Sequence, residues 1–123
     1  MAKPNGSISP TKPRASNTGR NLVSAARNGA RHGAKGYLIT DWGDGGHWQP
    51  FNISYPYFAY GAALSWSTDA NLEADLAGHL DRDIYLDASG HIGKALLNLG
   101  KAAELSGIAP HNSTIFDPIL RHA

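Results

Sequence analysis

The order in which helical and extended signals alternate is what most constrains this chain. Leu22, Ala26 and Ala30 fall at i, i+4 and i+8 with Val23 beside them, which predicts a helix beginning near Arg20. Gly33 supplies a left-handed stop, with Arg31 and His32 in the last turn, where positive charge suits the helix dipole. Tyr37-Leu38-Ile39-Thr40 follows as a β-prone run, closed by Asp41-Trp42-Gly43-Asp44-Gly45-Gly46. Helix, short loop, apolar strand and polar glycine-rich loop together make the pattern of an α/β unit.

A second strand is expected at Ala62-Ala63-Leu64-Ser65-Trp66, approached through Ser54–Gly61. Beyond it the pattern turns helical. Leu72, Leu76 and Leu80 share a face, with Asp69 or Asn71 as N-cap. Asp87 then caps a helix whose apolar face reads Ala88, Ile92, Leu96, Leu99 and Ala103, stopped by Gly107 and Ile108. A last short turn spans Thr114–Leu120. The fold class expected is α/β with a helical tail.

Residues 1–19 carry three prolines, two glycines and almost nothing to bury. Such a segment cannot offset its ordering entropy, so it reads as a flexible basic arm ahead of a domain over 20–123. Charge is divided in the same sense. Residues 1–36 hold seven basic side chains and no acid, whereas the remaining residues hold four basic and ten acidic ones. An acid-free, Ser-containing basic segment fits an organelle transit peptide, a nucleic-acid-binding arm or a solvated tail. With no aromatic to stack on a base, the tail is the expectation, and no nucleic-acid partner is expected. No apolar run approaches the roughly 20 residues of a membrane span, and no apolar stretch follows the first charges as a secretory signal requires. Neither a membrane nor secretion is expected, which leaves the cytoplasm by default. The absence of Cys excludes disulfides, thiolate metal sites and thiol nucleophiles.

The chemistry-bearing stretch is Thr40-Asp41-Trp42-Gly43-Asp44-Gly45-Gly46-His47-Trp48-Gln49. Alternation puts Tyr37, Ile39 and Asp41 on one strand face, and Ala62, Leu64 and Trp66 on another. If these strands are parallel neighbours in a barrel, Asp41 and Trp66 reach its C-terminal mouth. Carboxylates beside indoles suit a carbohydrate, since the acids accept hydroxyl protons and the rings lie against the apolar sugar face. Asp41 is the strongest candidate, because a carboxylate continuing the inward face of an apolar strand is costly without a task. Trp66 is second. Asp44 suits an Asx turn as readily as a ligand, and Trp42 and Trp48 suit a cover over the core.

Other motifs fail. Trp48 stands where a dinucleotide loop needs its third Gly, and Gly43 where a calcium loop needs a ligand. The spacing of Asp41, Asp44 and His47 fits no metal motif, so neither metal nor cofactor is expected. Gly-x-Ser-x-Gly and His-Glu-x-x-His are both absent from the sequence.

Gly36-Tyr-Leu-Ile-Thr-Asp-Trp-Gly-Asp-Gly-Gly-His-Trp-Gln-Pro50, Ser54-Tyr-Pro and Phe58-Ala-Tyr-Gly-Ala-Ala-Leu-Ser-Trp66 closely resemble bacterial β-N-acetylhexosaminidase-like glycoside hydrolases of family 20. The likeness runs from about Asn17 to the C-terminus. It implies the end of a (β/α)₈ TIM barrel, with its last two strands and the helices beyond. That family uses substrate-assisted catalysis, in which the acetamido carbonyl attacks the anomeric carbon. An adjacent Asp-Glu pair from an earlier strand orients the acetamido group and protonates the leaving oxygen. No two acids are adjacent in this sequence, so that pair is missing. The resemblance thus implies sugar contacts only: Asp41, Asp44 and His47 as polar partners, with Trp42, Trp48 and Trp66 as walls. Better-known members place a Tyr near Trp42 to hold the acetamido group.

Two readings follow. One is a truncated hexosaminidase that supplies the sugar-binding rim and is inactive alone. The other is a stand-alone carbohydrate-binding or interaction module. Either takes an N-acetylhexosamine-containing glycoside as partner, and unpaired strand edges would favour self-association.

Overall fold

The computed structural model describes residues 17–42 and 50–105, with the side chains of Ala103 and Glu104 excepted. Helix α1 (Asn17–Arg31) buries Gly19, Leu22, Val23 and Ala26, an i, i+3, i+4, i+7 stripe, and packs on α2. The first turn of α1 thus takes in Asn17–Gly19, three residues assigned to the arm from sequence. The rest of the arm lies outside the described residues. Gly33, at φ +72°, ends α1 in a Schellman motif. Ala34 N–H donates to the Gly29 carbonyl and Gly33 N–H to that of Ala30.

Tyr37–Thr40 runs extended, yet no strand pairs with it among the described residues. Its alternation is real. Tyr37 and Ile39 pack partly buried against the core while Leu38 is 85% exposed. The Tyr37 hydroxyl donates to the Gly61 carbonyl at 2.6 Å.

The expected second strand is helix. After a 3₁₀ turn (Phe51–Ser54), α2 runs Tyr55–Trp66 and takes in all of Ala62–Trp66. Pro56 sits in its first turn, where a missing N–H costs nothing, and alanines fill positions 59, 62 and 63. Pro56, Tyr60 and Leu64 are buried at i, i+4 and i+8. The described residues are helical, turn or unpaired extended chain, so the α/β expectation and the two-strand (β/α)₈ architecture are overturned. With no strand there is no strand edge among them to drive association. A lone extended segment has no ladder in which to pair its backbone, whereas residues 55–66 satisfy theirs internally.

Leu72, Leu76 and Leu80 are all buried, but not on one helix. A one-turn helix α3 (Thr68–Asn71) closes against α2, where Asn71 Nδ2 donates to the carbonyls of Ala63 and Ser67. Asp69 therefore lies within α3 and Asn71 at its end; neither caps a helix running to Leu80. Asp75 caps the next piece, α4 (Leu76–His79), by accepting from Gly78 N–H at 3.1 Å. A π-helical turn (Leu80–Tyr85) follows and stops at Leu86, held left-handed at φ 52°.

Helix α5 (Ile92–Leu105) buries Gly93 and Leu97, one position away from the expected face. Ile92 is 41% exposed and Leu99 61%. The shift has a cause: a Cβ on Gly93 would collide with the Ala77 backbone, so α4 and α5 meet where glycine permits close approach. Asp87 does hold the start of α5, from five residues upstream, through His91 and Ile92 N–H at 2.9 and 3.0 Å. The Gly107 stop and the 114–120 turn lie outside the described residues. Nine buried apolar side chains form one cluster: Leu22, Val23, Ala26, Tyr60, Leu64, Leu72, Leu76, Leu80 and Leu97.

Candidate functional site

Residues Ile39–Trp42 pass over the N-terminal end of α2 and leave a cleft of about 280 Å³. Ile39, Asp41, Ser54, Tyr57 and Phe58 line it, with Thr18 from α1. Ser54, Tyr57 and Phe58 fall at i, i+3 and i+4, so the helix entry places them on one side. The Asp41 carboxylate is exposed and accepts from the Ser54 hydroxyl at 2.5 Å. Beside it, Trp42 is 74% exposed, and its indole Nε1 donates to Thr40 Oγ1 at 2.8 Å. An anionic acceptor and a hydroxyl thus stand together in the cleft, and an exposed indole follows on the next residue, outside the cleft lining.

Trp66 does not join them. It is 91% exposed at the opposite end of α2 from Ser54. A helix of that length spans roughly 18 Å at 1.5 Å per residue. The strand reading had brought Asp41 and Trp66 together, and the helix separates them. Asp44, His47 and Trp48 lie outside the described residues.

Next to the cleft is an aromatic group that the sequence reading gave no role. Phe51 meets Tyr55 edge-on with centroids 5.7 Å apart, and Phe58 lies 5.7 Å from Phe51. Tyr85 stacks on Tyr55 at 6.4 Å and donates its hydroxyl to the Asn52 carbonyl at 2.6 Å. Burial, and then the neighbouring Tyr55, push the Tyr85 phenol above its usual range. The signal was present in Phe51, Tyr55 and Phe58 at i, i+4 and i+7, a helical spacing.

A larger open groove of about 710 Å³ lies between α4, the π turn and α5, with Asp75, Asp81 and Asp87 along it. Each of these acids already serves a helix start. Asp75 caps α4, and buried Asp81 accepts from Gly93 N–H at 2.6 Å. Asp87 accepts from the Ser89 hydroxyl and from the backbone of Ser89, His91 and Ile92, which holds its carboxyl far below the usual carboxylate range. Asp83 is also lowered, by hydrogen bonds from Arg82 and then His79, while Asp83 raises Arg82 in return. Among the described residues no group of three or more His, Asp or Glu side chains is placed to hold a metal ion.

No family model, curated protein or solved structure matches this chain.

Proposed function

We propose that this chain is a sugar-contacting, non-catalytic part of a β-N-acetylhexosaminidase-like protein, binding N-acetylhexosamine glycosides at the Asp41 cleft. The observation that carries the reading is the exposed Asp41 carboxylate, held by Ser54 at 2.5 Å in the cleft, with the exposed Trp42 as the next residue along the chain. A carboxylate accepts sugar hydroxyl protons in charge-assisted hydrogen bonds, and an indole covers the apolar face of a pyranose. The cleft volume of about 280 Å³ sits at the small end for ligand sites and suits one terminal sugar. Hydrolysis would need a positioned acid beside the scissile bond, a contribution of about 10²–10⁴-fold. The sequence offers no adjacent acid pair to supply it.

The test is a calorimetric or NMR titration of the chain with N-acetylglucosamine and its β-1,4 dimer. Binding with a Kd of order 1 mM, about −4 kcal/mol, is expected. Asp41→Ala should weaken it by about tenfold or more, as loss of a charged hydrogen bond does, and Trp42→Ala by a comparable factor. Trp66→Ala should leave it unchanged. Absence of binding, or binding sensitive to Trp66 and indifferent to Asp41, overturns the reading. Turnover of a chromogenic N-acetylglucosaminide would overturn its non-catalytic part.

A further inference from the structure

Among the described residues, the cations Arg20, Arg27, Arg31 and Lys35 do not line the cleft, and the fold gives the three arginines a common face. Arg20, Ser24, Arg27, Asn28 and Arg31 fall at i, i+4, i+7, i+8 and i+11 of α1, all exposed, on a face that flanks the stripe buried on α2. With Val23 they line a shallow groove of about 350 Å³. We propose that this face of α1 binds the phosphate backbone of double-stranded nucleic acid without reading its sequence.

Four observations support that partner. The face holds arginine alone among charged residues, and the guanidinium fork matches phosphate oxygens in a bidentate manner. α1 contains no acid, and among the described residues neither Arg27 nor Arg31 pairs with a carboxylate. Arg27 and Arg31 are one turn apart, a like-charge spacing that a polyanion relieves. Arg27 and Arg31 are separated by roughly 6 Å of helix rise, so two cations meet one stretch of backbone rather than a single phosphate.

Other anionic surfaces fit less well. A membrane-surface helix needs its apolar face free to enter lipid, and that of α1 is occupied by α2. An anionic glycan seated in the Asp41 cleft does not reach the arginines. Thr18 lines that cleft, and Arg27, nine residues on, lies half a turn round the helix from it. The inference is therefore independent of the sugar reading, and it rests on the folded helix rather than on the basic arm.

The experiment is fluorescence anisotropy of a labelled 20-base-pair duplex of mixed sequence, titrated with the full chain at several salt concentrations. Two phosphate contacts, from Arg27 and Arg31, predict a log–log salt slope of about −1.8, or binding about 12-fold weaker at 200 mM than at 50 mM salt. Arg27→Ala with Arg31→Ala should make the slope shallower by about 1.8, and Lys94→Ala, on α5, should not change it. Arg27→Lys with Arg31→Lys keeps the charges and should keep most of the slope. No duplex binding at 50 mM salt overturns the proposal. An unchanged slope in the double alanine variant also overturns it, by assigning binding to Lys3, Lys12 and Arg14. Binding to phosphatidylserine vesicles or heparin without duplex binding overturns the choice of partner. If circular dichroism shows that the alanine pair has lost helix, the wild-type slope decides, and a slope shallower than about −1 overturns the proposal.

Discussion

Four hydrogen bonds converge on the Asp87 carboxylate, two of them from His91 and Ile92 where α5 begins. All four need an acceptor, so they favour the ionised form, and the folded-state titration lies below the unfolded one. The stabilisation is therefore complete above the ordinary carboxylate range, near pH 4, and is lost as pH falls toward the folded value. Asp87→Asn should lower the melting temperature at pH 7, and the gap to the wild type should close as pH drops below about 4. Thermal melts followed by circular dichroism at pH 7, 4 and 2.5 check this. A gap of constant size at every pH would show that the residue acts by packing alone. Asp83, also lowered, contributes to the same acid limb from its place between Arg82 and His79.

At the scale of elements, α2 separates what was legible in the sequence from what was not. In a strand, Leu64 and Trp66 point the same way. In the helix they lie 200° apart, and Leu64 is 0% exposed while Trp66 is 91% exposed. Leu64→Ala should accordingly cost about 2–5 kcal/mol by denaturant unfolding, and Trp66→Ala should stay within about 0.5 kcal/mol. Equal losses would restore the strand face. The part of the α1 stripe through Leu22, Val23 and Ala26 and the left-handed stop at Gly33 were readable from the i, i+4 spacing and the glycine, whereas Ala30, expected on the same face, is exposed. Residues 62–66 were not readable, since a short run rich in alanine and leucine satisfies both periods. The longer spacing of Pro56, Tyr60 and Leu64 carried the answer. For α5 the signal was Gly93, whose small size draws the contact one residue off the largest side chains. At the cleft, Asp41 is exposed and on no strand, so the inward-facing position that singled it out from sequence does not hold; it lines the cleft bonded to Ser54 instead. Ser54, Tyr57 and Phe58 were missed because the strand reading gave them no common side.

Across the whole molecule, α1, α2 and α3 pack as one group, and α4, the π turn and α5 as another. Leu76, Leu80 and Leu97 carry the second group into the common core. The join is otherwise thin: α2 touches α5, and Tyr85 reaches across to Tyr55 and to the Asn52 carbonyl. If this join gives way before the groups it connects, the chain opens partially below global unfolding, and the exchange pattern will show it. Amides of α5 should exchange with solvent deuterium while those of α1 and α2 remain protected. Tyr85→Phe deletes one joining hydrogen bond, worth about 0.5–1.5 kcal/mol, and should speed exchange in α4 and α5 by roughly two- to tenfold without touching α1. Uniform acceleration in every helix would mean that the two groups open only together. If α4 and α5 alone speed up, the Tyr85 hydroxyl, unremarkable as a contact, is the latch that sets how often the C-terminal half of the described chain is exposed to a protease.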